Sequence, residues 1–227
     1  MFEKFKELFS SENLLEAAYR TTLKMLEFDY DMYEASRKVL RDSDTDELPF
    51  DIKKTDRKIN KYEREVRRNV LTHLTVAGTQ NLVPGLVLVS IVIDVERIGD
   101  YTKNIASLAA RHKDKLKAGD HESALVSIEQ AIEQNFPKLI ELLKSQDKQR
   151  AREVMQIEQT ISRTSDQIVN DMIGEEDQGL SRRDAVTLAM YARYLKRVNA
   201  HLTNIASSIV NPFPRIGFRE KEKSGKA

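Results

Sequence analysis

The sequence contains no cysteine. Disulfides, thiolate metal sites and thiol catalysis are therefore excluded, and a reducing compartment fits. Glycine and proline are sparse, eight and five in 227 residues, which favours long helices over many short strands. No sign of charge dominates: 37 Lys and Arg stand against 36 Asp and Glu, a formal net charge of +1. Without a global positive field, a dedicated nucleic-acid binder is not expected. The most apolar run, Leu82 to Val95, is shorter than the ~20 residues of a membrane span and is interrupted by Pro84, Gly85, Ser90 and Asp94. It reads as a buried core helix. Phosphate-binding glycine loops, H-E-x-x-H and nucleophile-elbow motifs are all missing. Nothing in the chain assembles a nucleophile, a base and an oxyanion donor, so no enzymatic activity is expected.

What is present is helical periodicity. Leu15, Ala18, Thr22, Met25, Met32 and Val39 form one stripe on a first helix over about 12–42. Thr55, Ile59, Tyr62, Val66 and Val70 mark the inner face of a second, over about 51–79. A third covers about 83–114. After a break at 117–120, a fourth runs over 121–145, with Pro137 expected to kink or divide it. The fifth covers 147–173, with Val154, Ile157, Ile161, Ile168 and Met172 inward. The sixth starts at Ser181 and Asp184, a capping-box pair, and runs to about 210. At ~1.5 Å per residue each helix is about 40 Å long, and short turns make neighbours antiparallel.

The expected architecture is all-α: two tandem, pseudo-symmetric three-helix bundles made of six long antiparallel helices. The chain divides into an N-terminal amphipathic segment (1–11), a first repeat (12–116), a second repeat (117–210) and a flexible basic tail (211–227). In the first segment, Phe2, Phe5, Leu8 and Phe9 share one side. That side suits packing on a bundle end; contact with a membrane protein or the bilayer surface is the alternative. The N-terminus lacks the apolar region and cleavage site of a signal peptide. A cytoplasmic location is expected, with attachment at the periphery of the inner membrane as a variant.

The duplication is visible in residues. Positions 94–106 read DVERIGDYTKNIA and positions 194–206 read YLKRVNAHLTNIA. Arg, Asn, Ile and Ala recur at 97/197, 104/204, 105/205 and 106/206, and Ile98 pairs with Val198. On a helix Glu96, Asp100 and Asn104 lie one above another, an oxygen-rich ridge about 12 Å long. Two carboxylates one turn apart repel, and a bound cation reverses that cost. Hard cations or iron suit such oxygens, given further ligands from a neighbouring helix. Asp56, Asn60 and Glu63 form a second polar ridge able to supply them. The competing reading is a ridge neutralised by its own neighbours, with Glu96 on Arg97 or Lys103 and Asp100 on Lys103 or Lys54. In the second copy Lys196 and Ala200 replace both acids. There Arg197, His201 and Asn204 remain as a candidate polar site.

DVERIGDYTKNIA resembles the signature helix of the PhoU family of phosphate-uptake regulators, in which an acidic pair spaced E-x-x-x-D precedes Asn-Ile-Ala. The resemblance extends over about 12–210 and takes in DRKINKYE at 56–63 and the second copy at 192–207. It implies two three-helix bundles and metal ions (iron, zinc or magnesium) at the acidic motif, here Glu96 and Asp100. It also implies an adaptor that represses phosphate uptake and signalling. The implied partners are the ATPase of a phosphate ABC transporter or a phosphate-sensing histidine kinase; a homodimer is the expected assembly. The alternative is a metal-free helical interaction module that regulates a different transporter or kinase.

Overall fold

A computed structural model describes residues 11–77, 81–174 and 179–220. Its long helices are α1 (Ser11–Asp42), α2 (Ile52–Ala77), α3 (Leu82–Ala109), α4 (Glu122–Ser145), α5 (Lys148–Ile173) and α6 (Arg182–Val210). Single 3-10 turns lie at Gly119–His121 and Phe213–Arg215. No strand occurs among the described residues. The N-terminal segment 1–10 lies outside them, as do residues 221–227 of the tail.

α1, α2 and α3 pack on one another, and so do α4, α5 and α6. The two sets join chiefly where α3 meets α6, with α1 against α4 beside that seam. This explains the composition of α3. A helix enclosed by neighbours on several sides needs apolar side chains around much of its circumference. Leu88, Ile91, Val92, Val95, Ile98 and Ile105 are all buried. The repeat residues Ile98/Val198, Ile105/Ile205 and Ala106/Ala206 are fully buried in both copies. Each large aliphatic side chain so buried contributes roughly 1.5–3 kcal/mol.

The helix starts follow local chemistry. Asp51 Oδ1 accepts from the Lys54 amide at 2.9 Å, Asp147 Oδ1 accepts from Gln149 and Arg150 amides at 2.9 and 3.1 Å, and Ser181 Oγ accepts from Asp184 N at 3.0 Å. Each satisfies donors that the first turn leaves free. The Asp184 carboxylate completes no capping box, because it turns instead to the linker between the repeats. Ser181 Oγ–H donates to its Oδ2 at 2.6 Å, while Oδ1 faces His112 Nε2 at 3.2 Å and the Lys117 amide at 3.3 Å.

Four sequence expectations need correction. α3 ends at Ala109 rather than about 114. The linker that follows is tied to other elements: Leu116 N donates to Leu40 O at 2.9 Å and Arg41 Nη1 donates to Leu116 O at 2.6 Å. Those tertiary bonds compete with further helical turns. Of the kink or division expected at Pro137, the division does not occur, and α4 runs from Glu122 to Ser145. Phe136 and Leu139 beside it are fully buried, and packing on that scale offsets the ~3 kcal/mol cost of an interior proline. Ile157 is exposed, not inward. Finally, residues 211–220 are not a loose end: Asn211 Nδ2 donates to the carbonyls of Arg215 (3.1 Å) and Phe218 (2.6 Å), folding them back on α6.

Candidate metal face of the first repeat

The α1–α3 contact carries a feature that periodicity did not find. Asp29 lies on the core stripe of α1 and is fully buried. Neither of its carboxylate oxygens has a hydrogen-bond partner. It fits there because position 99 is glycine: a Cβ at Gly99 would stand 2.8 Å from Asp29 Oδ1 and 3.0 Å from Ile59 Cδ1. Burial raises the Asp29 carboxyl well above the usual carboxylate range, and the charges of Glu96 and Asp100 raise it further. The Glu96 carboxyl is also raised, first by burial and then by Asp100, with Glu63 a smaller contributor. Three α1–α3 carboxylates and Glu63 of α2 thus share one electrostatic environment.

The residues proposed from sequence take different places around it. Glu96 and Asp100 stand together beside Asp29. Glu63 is within their field but pairs with Arg67 at 2.7 Å. Asp56 is held by Lys103 at 2.7 Å, and the same ammonium reaches Asp100 at 2.7 Å. Arg97 contacts Asp100 at 3.2 Å and Glu96 at 3.7 Å. Asn104 is half-buried one turn beyond. Among the described residues, no three acidic or histidine side chains already converge on one point as a coordination sphere. The donor chemistry nevertheless suits a hard cation: a buried carboxylate with two unmet oxygens, beside two more whose charges raise its pKa. Asp29, Glu96 and Asp100 would hold it, with Arg97 and Lys103 displaced from Asp100.

Asp29 could have been found. It falls at i+4 from Met25 and three before Met32, an acidic residue in an apolar stripe. No sequence pattern links it to Gly99.

The second repeat solves the same positions differently. Asn199 replaces Gly99, and its Oδ1 accepts from Asn135 Nδ2 of α4 at 3.2 Å. Both amides are buried, so a neutral pair stands where the first repeat has a carboxylate against glycine. Lys196 replaces Glu96 and binds both oxygens of Asp166 at 2.7 and 2.6 Å. Arg197, His201 and Asn204 do come together, as a clasp across the α3–α6 seam. His201 Nδ1 lies 2.7 Å from Asp94 Oδ1, which also accepts from Asn204 Nδ2 at 3.0 Å. With a carboxylate opposite it, Nδ1 carries the proton. The His201 ring stacks on Tyr101 at 5.8 Å, and Arg197 Nε donates to the Tyr101 hydroxyl at 3.1 Å. These contacts join the repeats, and Asp94 belongs to them rather than to the acidic face.

The fold defines a class: an all-helical protein of two tandem three-helix repeats. A sequence profile of the PhoU domain matches twice, over residues 22–109 and 125–209. The chain belongs to the PhoU family. Its fold is similar to that of PhoU from Pseudomonas aeruginosa, with a TM-score of 0.77 and 19% identity over 87% of this chain and 96% of that one. It is also similar to the phosphate transport system regulatory protein PhoU from Streptococcus pneumoniae, with a TM-score of 0.75 and 16% identity over 88% of this chain and 94% of that one. No curated protein matches the sequence.

Proposed function

We propose that this protein is a non-enzymatic regulator of phosphate transport that works through protein–protein contacts, with a cation at Asp29, Glu96 and Asp100. Membership of the PhoU family supports the regulatory reading. The observation that carries the cation is the Asp29 carboxylate, buried without a partner beside two other acids. A bound ion supplies positive charge that neutralises these carboxylates. The residues of the chain do the rest: Gly99 admits Asp29, Ile59 packs beside it, and Glu96 and Asp100 close the face. The partner is the ATPase of a phosphate transporter or a phosphate-sensing histidine kinase, the assembly a homodimer, and the location cytoplasmic. Among the described residues no helix is long and apolar enough to cross a membrane.

The test is thermal unfolding of chelator-treated protein with and without Mg2+, Zn2+ or Fe2+. A cation at 100 times its dissociation constant stabilises by about 2.7 kcal/mol, a rise of roughly 5–10 °C for a chain of this size. No rise with any of the three overturns the cation. Unchanged phosphate uptake in a deletion strain overturns the regulatory reading. A second reading has its own observation. Lys103 already bridges Asp56 and Asp100, so the ridge carries an internal cation, as a metal-free interaction module requires. In that case chelator leaves partner capture unchanged.

A further inference from the structure

The face of α6 that corresponds to the acidic ridge is covered by the chain's own C-terminal segment. Ala200, Thr203, Asn204 and Ser207 occupy the positions of Asp100, Lys103, Asn104 and Ser107. Over them runs the strap 212–220. Gly217, at φ 84, sits against Asn204, a Cβ there lying 3.5 Å from Asn204 Oδ1. Its amide donates to Ser207 Oγ at 2.7 Å. At the far end, Glu220 accepts both guanidinium contacts of Arg152 on α5, at 2.6 and 2.8 Å.

This strap fits its seat poorly. Beneath it lies a cleft of about 560 Å3 between α5 and α6. The Thr203 hydroxyl lines that cleft, buried and without a hydrogen-bond partner. The strap's own apolar side chains cover little: Phe218 is 61% exposed and Phe213 36%. The Asn211 amide and the Gly217 contact turn the strap back on α6, but its far end is tied by the Arg152–Glu220 pair, which is exposed, and exposed pairs contribute little. A seat with an arginine fork, an unmet hydroxyl and unfilled volume is matched to something larger than the strap.

We propose that the α5–α6 cleft is a docking site for an extended segment of a protein partner bearing an acidic side chain, and that residues 212–220 hold its place in the free protein. Arg152 takes the partner's carboxylate in place of Glu220, and a partner side chain enters the cleft toward Thr203. The inference does not depend on a cation in the first repeat.

The full-length chain tests it. Glu220→Lys sets a positive charge against Arg152 and releases the strap while leaving the helices intact. Hydrogen exchange at the Gly217 and Phe218 amides should quicken at least tenfold. A fluorescent peptide of residues 211–220, NPFPRIGFRE, should then bind Glu220→Lys at least tenfold more tightly than the unaltered chain. The same peptide with Gln at its final position should lose that binding, and so should the peptide on Arg152→Glu. The double variant Arg152→Glu/Glu220→Lys restores the ion pair and should restore slow exchange. Three results overturn the proposal: unchanged exchange in Glu220→Lys, equal peptide binding by both chains, or binding by neither. Concentration-dependent dimers of Glu220→Lys would assign the cleft to the tail of a second copy and overturn a foreign partner.

Discussion

The two repeats share a core and part company on one face. Ile98, Ile105 and Ala106 in the first match Val198, Ile205 and Ala206 in the second, all fully buried. On the facing surface, Glu96 of the first repeat lies in the field of Glu63, whereas Lys196 of the second pairs with Asp166. Asp29 meets a glycine, whereas Asn135 meets Asn199. Each difference leaves the first repeat with unbalanced negative charge and the second without it. Packing therefore constrains the helices in both copies alike, and the surface chemistry is free to diverge. A carboxylate left buried and unpaired costs stability, and the first repeat carries that cost at Asp29.

The shared core predicts the largest and most symmetrical effect. Ile105→Ala and Ile205→Ala should each cost about 2–5 kcal/mol in denaturant unfolding. A difference beyond that range between the two would break the equivalence of the repeats.

The next effect separates them. Asp29→Asn should stabilise the cation-free protein at neutral pH by roughly 1–3 kcal/mol, because a neutral amide is cheaper to bury than an unpaired carboxylate. The same substitution should erase stabilisation by divalent cations. Asn135→Asp, which puts a carboxylate against Asn199 at the position of Gly99, should destabilise by a similar amount and gain no cation response. Equal behaviour of the two variants in a melt with and without chelator would dissolve the comparison.

The pH dependence follows in sign. The Asp29 and Glu96 carboxyls are raised in the folded chain. Above the ordinary carboxylate range of about 4 the unfolded chain has released protons that the folded chain still holds. Stability from these two groups therefore falls as pH rises from about 4 toward their raised values. Asp184 is opposite: burial works against the charged form, but Ser181, the Lys117 amide and His112 outweigh it and hold the carboxyl low. Its contribution is present above about 4 and is lost as pH falls toward its lowered value. Cation-free melts should lose the first slope, above about pH 4, in Asp29→Asn/Glu96→Gln and retain the second, which lies below about pH 4.

The smallest effect is expected at Lys196→Ala. The Lys196–Asp166 pair is partly exposed, and such pairs contribute about 0.2–1 kcal/mol. A larger loss would mean that the second repeat depends on this replacement more than its exposure indicates.

Most of the architecture was legible in the chain. The apolar stripe of α1, the enclosed character of Leu82–Val95 and the Asp147 and Ser181 starts all follow from short-range rules. Glu96 and Asp100 were legible because they share a helix at four-residue spacing. Asp29 was not paired with them, because its partner face is set by the approach of α1 to α3 at Gly99, which no periodicity encodes. Asn135 against Asn199 escaped for the same reason, as did the clasp at Asp94. The strap escaped because its contacts depend on one side chain, Asn211, turning to carbonyls several residues ahead.

Asp94 and Glu96 stand two residues apart on α3, about 200° around its axis. One faces His201 and Asn204 across the seam, and the other faces Asp29. One helix therefore carries an acidic blade on one side and the clasp on the other, so the face of the first repeat and the tie to the second are set by the same backbone.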